Sequence, residues 1–196
     1  NIKYLGNIKL ASENNTGILS HKNKEILITN KFWCALSIHK EEDLFCLKTH
    51  LKIKTIHKNI ITIIIPRHID RVKKIEEKCK KLNLNCQILS KDEQIINGKE
   101  IIIINSYGVS SSYLELCKSV FIGKSMIKRL KPVGGQNPIE AAKLKCKIYH
   151  GPYVYNFEEI YELFNKYKIT EKIYDENELS NKISVDLSQT NQINFE

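Results

Sequence analysis

Short runs of almost wholly apolar residues recur along this chain and alternate with amphipathic stretches. The apolar runs cover residues 31–37, 59–65, 86–89, 100–105, 120–122 and 147–149. Strands that are buried on both faces have this composition. In the stretches between them, apolar side chains recur at helical spacing, as at Val72, Ile75 and Cys79. These stretches predict helices over residues 41–56, 70–82, 110–117, 138–144 and 157–167.

The alternation of buried strands with helices predicts an α/β fold, a Rossmann-like parallel sheet with helices on both faces. All strands of a parallel sheet end at the same edge, and ligands bind in the crevice beyond that edge. The residues that directly follow each strand are therefore the first candidates for chemistry.

The pattern also divides the chain into three parts. Residues 1–30 are polar, contain a turn signal at 14–17, and are predicted to be an interdomain linker or the start of the domain. Residues 31–170 carry the strand–helix alternation and form the predicted ligand-binding domain. Residues 171–196 are predicted to add a helix over 175–185 and a frayed tail from residue 188.

The net charge of the chain only partly limits the kinds of binding partner that we expect. The formal net charge of +9 favours an anionic partner such as a nucleotide, a phosphorylated lipid or a membrane surface. It is equally consistent with a chain that is simply rich in lysine. The lysines are scattered and no aromatic residues interleave with them, so we expect no nucleic-acid partner.

Cysteine spacing and chain ends add further expectations. The six cysteines form no Cys-x-x-Cys pair and fit no zinc spacing, so we expect buried free thiols and no bound metal. No apolar run approaches the roughly 20 residues that span a bilayer, and we expect the chain itself to be soluble. It begins at Asn1 without an initiator Met or a signal-peptide pattern, which predicts part of a longer protein.

Three loops after predicted strands carry residues that could do chemistry. In residues 37–43, Ser37 could cap the next helix, and His39 is either a site residue or a solvated loop histidine. Arg67 follows the second strand and could bind a phosphate with two parallel hydrogen bonds, or be an ordinary surface arginine. In residues 105–112, Gly108 permits a close backbone approach, although the small residues after it could be a plain helix cap.

The fourth loop, residues 134–140, reads Gly-Gly-Gln-Asn-Pro-Ile-Glu. Its two glycines leave backbone amides uncovered. The following helix could turn its amino end toward a phosphate, while Glu140 accepts hydrogen bonds from ribose hydroxyls. The structural alternative is a capping box, with Asn137 as N-cap, Pro138 at the first helical position and Glu140 folded back on the cap amide. The loop is neither a P-loop nor a Gly-x-Gly-x-x-Gly fingerprint.

Taken together and in order, these segments resemble the C-terminal domain of 3-deoxy-D-manno-octulosonate (Kdo) transferases, lipid A glycosyltransferases of the GT-B fold. The matching segments are Gly6-Asn7-Ile8-Lys9, the Trp33–His39 stretch with Glu42, Pro66-Arg67-His68, Tyr107-Gly108-Val109, residues 134–142, Gly151-Pro152 and Asn156-Phe157. Each segment alone is weak, but the ordered set is specific.

The resemblance implies transfer of Kdo from CMP-Kdo to a lipid A precursor, lipid IVA, in lipopolysaccharide biosynthesis at the cytoplasmic face of the inner membrane. It implies no cofactor and no metal. The CMP contacts it implies are Pro66, Arg67, Tyr107, Gly108, Val109, Asn137, Pro138, Ile139 and Glu140. It also places Ser37, His39, Gly134 and Gly135 in loops that border the active site.

The sequence departs from the family pattern at several positions. Val109 replaces an acidic residue, and Glu41 and Lys145 replace glycines, which is costly if their φ angles are positive. The family's N-terminal domain, which holds the acceptor site, the membrane contact and the carboxylate base, is not in this chain. We therefore expect the chain alone to bind CMP weakly and to lack transfer activity.

Two other functions stay open on the sequence. The first is a donor domain for a UDP-sugar in a different GT-B enzyme, since its sheet and its helix-start glutamate would look alike. The second is not enzymatic: a basic binding module, or an inactive gene fragment that retains the fold.

Overall fold

A computed structural model describes residues 19–189 of the chain. The resemblance at residues 6–9, the predicted turn at 14–17 and most of the predicted tail lie outside the described residues.

Within residues 19–189 the sheet has seven strands, connected mostly by helices. The strands are β1 (Phe32–Ile38), β2 (Ile61–Pro66), β3 (Cys86–Leu89), β4 (Ile101–Ile104), β5 (Ser119–Ile122), β6 (Lys147–His150) and β7 (Thr170–Lys172). The helices are α1 (His21–Thr29), α2 (Glu42–Ile56), α3 (Val72–Lys81), α4 (Ser110–Leu114), α5 (Ile139–Lys143), α6 (Glu158–Lys166) and α7 (Glu176–Ser188). Short 3-10 turns lie at Ile69–Arg71, Lys128–Val133 and Tyr155–Phe157.

The strands pair in the order β3-β4-β2-β1-β5-β6-β7, and every pair is parallel. The chain moves outward from β1 through β2 on one side and returns to β5 on the other side of β1. The crevice beyond the carboxyl ends of β1 and β5 is therefore the switch point at which such sheets bind ligands. The predicted Rossmann-like fold is confirmed.

The apolar strands bury side chains on both faces of the sheet. Neighbouring residues point in opposite directions, so Cys34 packs on one face with Ile63 and Val120, and Trp33 packs on the other with Phe121. Residues of α1, α4 and α5 cover the first face, and residues of α2, α3 and α7 cover the second. This two-sided burial explains why the strands lack the alternation of a half-exposed sheet.

Two elements were not predicted from the sequence. Helix α1 is largely polar and buries only Asn23 and Leu27, so it has no apolar stripe. It is held by the Asn23 side chain, which donates to the carbonyl of Glu93 and accepts from the amide of Ile95. Strand β7 has three residues, Thr-Glu-Lys, and exists because it pairs with β6. It carries the sheet two residues past the proposed boundary at 170, and that boundary stays a prediction.

The predicted C-terminal helix is present as α7, which packs against α2. Its Asp186 is buried and accepts hydrogen bonds from the Ser119 hydroxyl at 2.7 Å and from the Tyr149 hydroxyl at 2.6 Å. Tyr149 and Ser119 belong to the two neighbouring strands β6 and β5. A single carboxylate thus joins the last helix to the sheet.

The six cysteines are free thiols, as predicted, and all except the half-buried Cys86 are buried. Burial raises the pKa of the Cys46 thiol well above its ordinary value. Within residues 19–189, no group of three His, Cys, Asp or Glu side chains is arranged to hold a metal ion. None of the helices in that range has the length and apolar character that crossing a membrane requires.

Candidate nucleotide-binding site

Three side-chain contacts join the four post-strand loops at the carboxyl edge of the sheet. The ring centroids of His39, after β1, and His68, after β2, lie 6.0 Å apart. Nε2 of His39 lies 3.3 Å from Nε2, the side-chain nitrogen, of Gln136 in the 134–140 loop. The hydroxyl of Ser110, after β4, donates to the carboxylate of Glu140 at 3.1 Å. The loops selected from the sequence therefore form one surface.

The two glycines of the 134–140 loop allow close packing rather than leaving amides uncovered. A Cβ on Gly134 would lie 2.5 Å from the carbonyl oxygen of Tyr153. Gly135 has φ +88, and a Cβ there would lie 2.9 Å from the Cα of Val154. The amide of Gly135 donates to the carbonyl of Lys124 at 2.7 Å. The expectation of exposed glycine amides was wrong, because the protein itself uses both of them.

The capping-box alternative at Glu140 does not describe the structure. Helix α5 begins at Ile139, one residue later than predicted, and its first amide donates to Oδ1 of Asn137 at 3.0 Å. Pro138 occupies the cap position, without a side-chain cap bond. Glu140 is half-buried and turns toward Ser110 instead of toward its own helix start. Its carboxylate is thus held at the loop surface, where a ligand hydroxyl could reach it.

The loop after β4 is open at its tip. Gly108 has φ +73, and a Cβ there would meet no atom within 4 Å, while Tyr107 is 64% exposed. Val109, in the position of the family's acidic residue, is half-buried and packs against the core. Tyr107 and Gly108 are therefore free to contact a ligand, and Val109 contributes apolar packing.

Cations gather around His39 at the ends of β1, β2 and β5. Arg67 is exposed directly after Pro66, which is buried and forms the last residue of β2 instead of ending the strand before it. Within residues 19–189, neither Arg67 nor Lys124 forms an ion pair. Burial first, and then the nearby Lys124, His68, Arg71 and Arg67, together lower the pKa of His39 to about 4. The site therefore carries unneutralised positive charge beside a neutral imidazole, which suits an anionic ligand.

Two departures from the family pattern lie at positive φ. Glu41 has φ +85 and Lys145 has φ +59, so both positions favour glycine. Ser37 also has positive φ, at +56, and does not cap α2, whose cap position is Glu41. The prediction of a capping Ser37 was wrong because Ser37 still belongs to β1, four residues before the cap position of α2.

Glu42 has a larger role at this edge than the sequence indicated. Its position in the first turn of α2 suits an acidic residue, because a negative charge there is favoured by the helix dipole. It does begin α2, but its carboxylate is buried and accepts backbone hydrogen bonds from the loops after β1 and β5. The available sequence signal is an acidic residue four positions after the end of one buried strand, together with a glycine, Gly123, directly after the end of another.

We compared the chain with solved structures and with the sequences of known proteins. The solved C-terminal CMP-Kdo-binding domain of WaaA from Acinetobacter baumannii has a TM-score of 0.77 over 85% of this chain and 86% of that one, at 21% identity. The 3-deoxy-D-manno-octulosonic acid transferase of Haemophilus influenzae is 26% identical over 131 residues, and that of Aquifex aeolicus 24% over 194 residues. The predicted resemblance to Kdo transferases is confirmed.

The Kdo transferases differ from this chain in extent. The aligned part is 67% of the chain and 30% of the Haemophilus influenzae protein, and 99% of the chain and 52% of the Aquifex aeolicus protein. The chain thus spans about half or less of the curated relatives it matches. No protein-family model matches it.

Proposed function

We propose that this chain forms the donor-binding domain of a Kdo transferase and binds CMP-Kdo at the carboxyl edge of its sheet. The observation that carries the proposal is the contact between Ser110 and Glu140, which joins the loop after β4 to the start of α5. Similarity in sequence to Kdo transferases, together with the shared fold, supports the choice of donor.

The proposed contacts divide by chemistry. Glu140 accepts hydrogen bonds from the ribose hydroxyls, and Arg67 binds the phosphate. Because the nucleotide monophosphate is the leaving group, a cation that stabilises its growing charge also stabilises the transition state. The remaining proposed CMP contacts are Pro66, Tyr107, Gly108, Val109, Asn137, Pro138 and Ile139, bordered by Ser37, His39, Gly134 and Gly135.

The finer parts of the proposal concern the whole enzyme. A second domain, outside this chain, binds the lipid A precursor, supplies the carboxylate base and contacts the membrane surface. Transfer then takes place at the cytoplasmic face of the inner membrane, within lipopolysaccharide biosynthesis. We expect the chain alone to be inactive in transfer, because the base lies in the other domain.

Calorimetric titration of the 196-residue chain with CMP and with UDP tests the donor site. We expect CMP to bind more tightly than UDP, and Glu140→Ala to weaken CMP binding. Glu77→Ala, which removes an exposed carboxylate on α3, is the matched control and should leave CMP affinity unchanged.

Tighter binding of UDP would favour a UDP-sugar enzyme over a Kdo transferase. Equal CMP affinity in the wild type and Glu140→Ala would remove Glu140 from the site. If neither nucleotide binds, the chain is not a working donor domain, and an inactive fragment that keeps the fold becomes the better description.

A further inference from the structure

The carboxylate of Glu42 is enclosed by backbone amides from two loops. Oε1 accepts from the amides of Ser125 at 2.8 Å and Met126 at 3.0 Å. Oε2 accepts from the amides of Lys124 at 2.6 Å and His39 at 3.1 Å. The residue is 1% exposed, so these four amides replace water almost completely.

This arrangement fits only the ionised form of the side chain. All four neighbours are donors, and a protonated carboxyl would have to direct its own hydrogen at one of them. Burial raises the pKa of the Glu42 carboxyl, and the four amide hydrogen bonds oppose that rise. The position at the start of α2 also favours a negative charge.

The amides of residues 124–126 form a nest, a concave run of backbone N–H groups of the kind that binds anions in proteins. This nest lies beyond β1 and β5, at the switch point of the sheet, where a parallel fold offers its ligand crevice. In this protein a side chain of the same chain fills it.

Gly123 makes the filling possible. A Cβ on that residue would lie 2.8 Å from Oε2 of Glu42 and 2.6 Å from the carbonyl oxygen of Ser37. Any larger residue at the end of β5 would therefore force the loop and the carboxylate apart.

The filled nest is connected to the 134–140 loop by two routes. The amide of Lys124 donates to Glu42, and the carbonyl of Lys124 accepts a hydrogen bond from the amide of Gly135 at 2.7 Å. His39, whose amide also binds Glu42, has its ring 3.3 Å from the side-chain nitrogen of Gln136. The position of one carboxylate is thus coupled to the 134–140 loop as well as to the loops after β1 and β5.

We propose that Glu42 is a positioning residue, an internal anion that fills the switch-point nest and holds the loops after β1 and β5 in the shape that binds the donor. The donor's own anionic groups are thereby left to the cations outside the nest, Arg67 and Lys124. The statement about the donor rests on the proposed function, whereas the ordering of the loops by an anion does not.

Glu42→Ala in the 196-residue chain, with and without sodium formate, tests this role. Formate is a free carboxylate small enough to enter the vacated nest. Without it we expect CMP affinity to fall about tenfold, as for the loss of a buried charged hydrogen-bond partner. Formate should restore most of that affinity, and chloride at the same ionic strength should not. Glu41→Ala, which removes the exposed carboxylate next to it, should neither lose affinity nor respond to formate.

Backbone amide NMR gives a measurement that needs no nucleotide. In Glu42→Ala the amide signals of His39, residues 124–126 and Gly135 should shift and exchange faster with solvent, and formate should return them toward their wild-type positions. If formate restores these signals while the wild type binds no CMP, the ordering role stands and the proposed function fails. Signals at Gly135 that stay unchanged in Glu42→Ala would overturn the ordering role.

A purely structural role predicts a different result. Glu42→Ala would then be less stable, yet its folded molecules would bind CMP as the wild type does, and this outcome would overturn the proposal. If Glu42→Ala does not fold, Glu42→Gln replaces it, because it keeps the side-chain size but turns amide hydrogens toward donors. We expect Glu42→Gln to bind CMP less tightly, without rescue because the nest is full, and unchanged affinity would overturn the proposal.

Discussion

The hydroxyl of Ser110 lies 3.1 Å from Oε2 and 3.3 Å from Oε1 of Glu140, so it donates a hydrogen bond to the carboxylate that both oxygens can accept. The two residues lie in the first turns of neighbouring helices, α4 and α5, on the same face of the sheet. This contact orients Glu140 toward the loop after β4 and away from the backbone of its own helix.

Loss of the Ser110 hydroxyl should weaken nucleotide binding through Glu140. We expect Ser110→Ala to lower CMP affinity about fivefold, the effect of one ordinary hydrogen bond. Calorimetry measures the change, and Ser180→Ala, which removes a hydroxyl on the remote helix α7, should have no effect. In Glu140→Ala the Ser110 substitution should cost nothing more, and two independent, additive losses would contradict the orienting role.

Arg67 should contribute binding energy that depends on salt. Because it is exposed and forms no ion pair among the described residues, it can meet a phosphate without first breaking another contact. We expect Arg67→Ala to lower CMP affinity about tenfold or more at low salt, with a smaller difference from wild type as salt is raised. Lys74→Ala, on the exposed face of α3, should change neither quantity, and a salt-independent loss in Arg67→Ala would argue against a phosphate contact.

The titration of His39 should report an anionic ligand. Its pKa in the free protein is about 4, below its ordinary value, so its stabilising contribution is complete above pH 6.5 and is lost as the pH falls through 4. A bound anion next to the ring favours the imidazolium, so CMP should raise this pKa. NMR titration of the ring signals measures it. His50 is the control, because burial also lowers its pKa to about 4 but it contacts Thr62 at the opposite edge of the sheet.

Replacement of Lys145 or Lys168 by glycine should stabilise the folded protein. Both have positive φ and both end a helix with paired bonds back to its last turn, the Schellman arrangement in which glycine is preferred. We expect Lys145→Gly and Lys168→Gly each to raise the free energy of unfolding by about 1 kcal/mol in urea denaturation. Asn83 occupies the same position after α3 with φ +54, and Asn83→Gly should gain less because asparagine tolerates this conformation. A loss of stability in both lysine variants would contradict the strain.

Most of the sheet could be predicted because its strands are buried on both faces. Continuous apolar composition then identifies a strand without any need for alternation. The exceptions had no such signal: α1 is fixed by a polar side chain, Asn23, that bonds to a distant loop, and β7 exists through pairing with β6. Long-range contacts of this kind are not visible in local spacing.

The proposed site could be predicted less completely than the fold. The order of the loops and the parallel sheet predicted that Arg67, Gly108 and Glu140 would meet at one edge. Local pattern could not decide where the Glu140 carboxylate turns, because a capping box and a ligand contact share one sequence. Local pattern also could not show that amides of residues 124–126 would enclose Glu42, because those residues lie 82 to 84 positions further along the chain.

Asp186 bears on how far the chain can be shortened. Its carboxylate satisfies the hydroxyls of Ser119 and Tyr149, and the same helix supplies Leu179 and Ile183 to the core. Removal of the residues after 170 would expose to solvent the core residues that α7 covers. It would also leave the two buried hydroxyls without their acceptor. We therefore expect the domain to need helix α7 in order to fold, although α7 lies in the least strand-like part of the sequence.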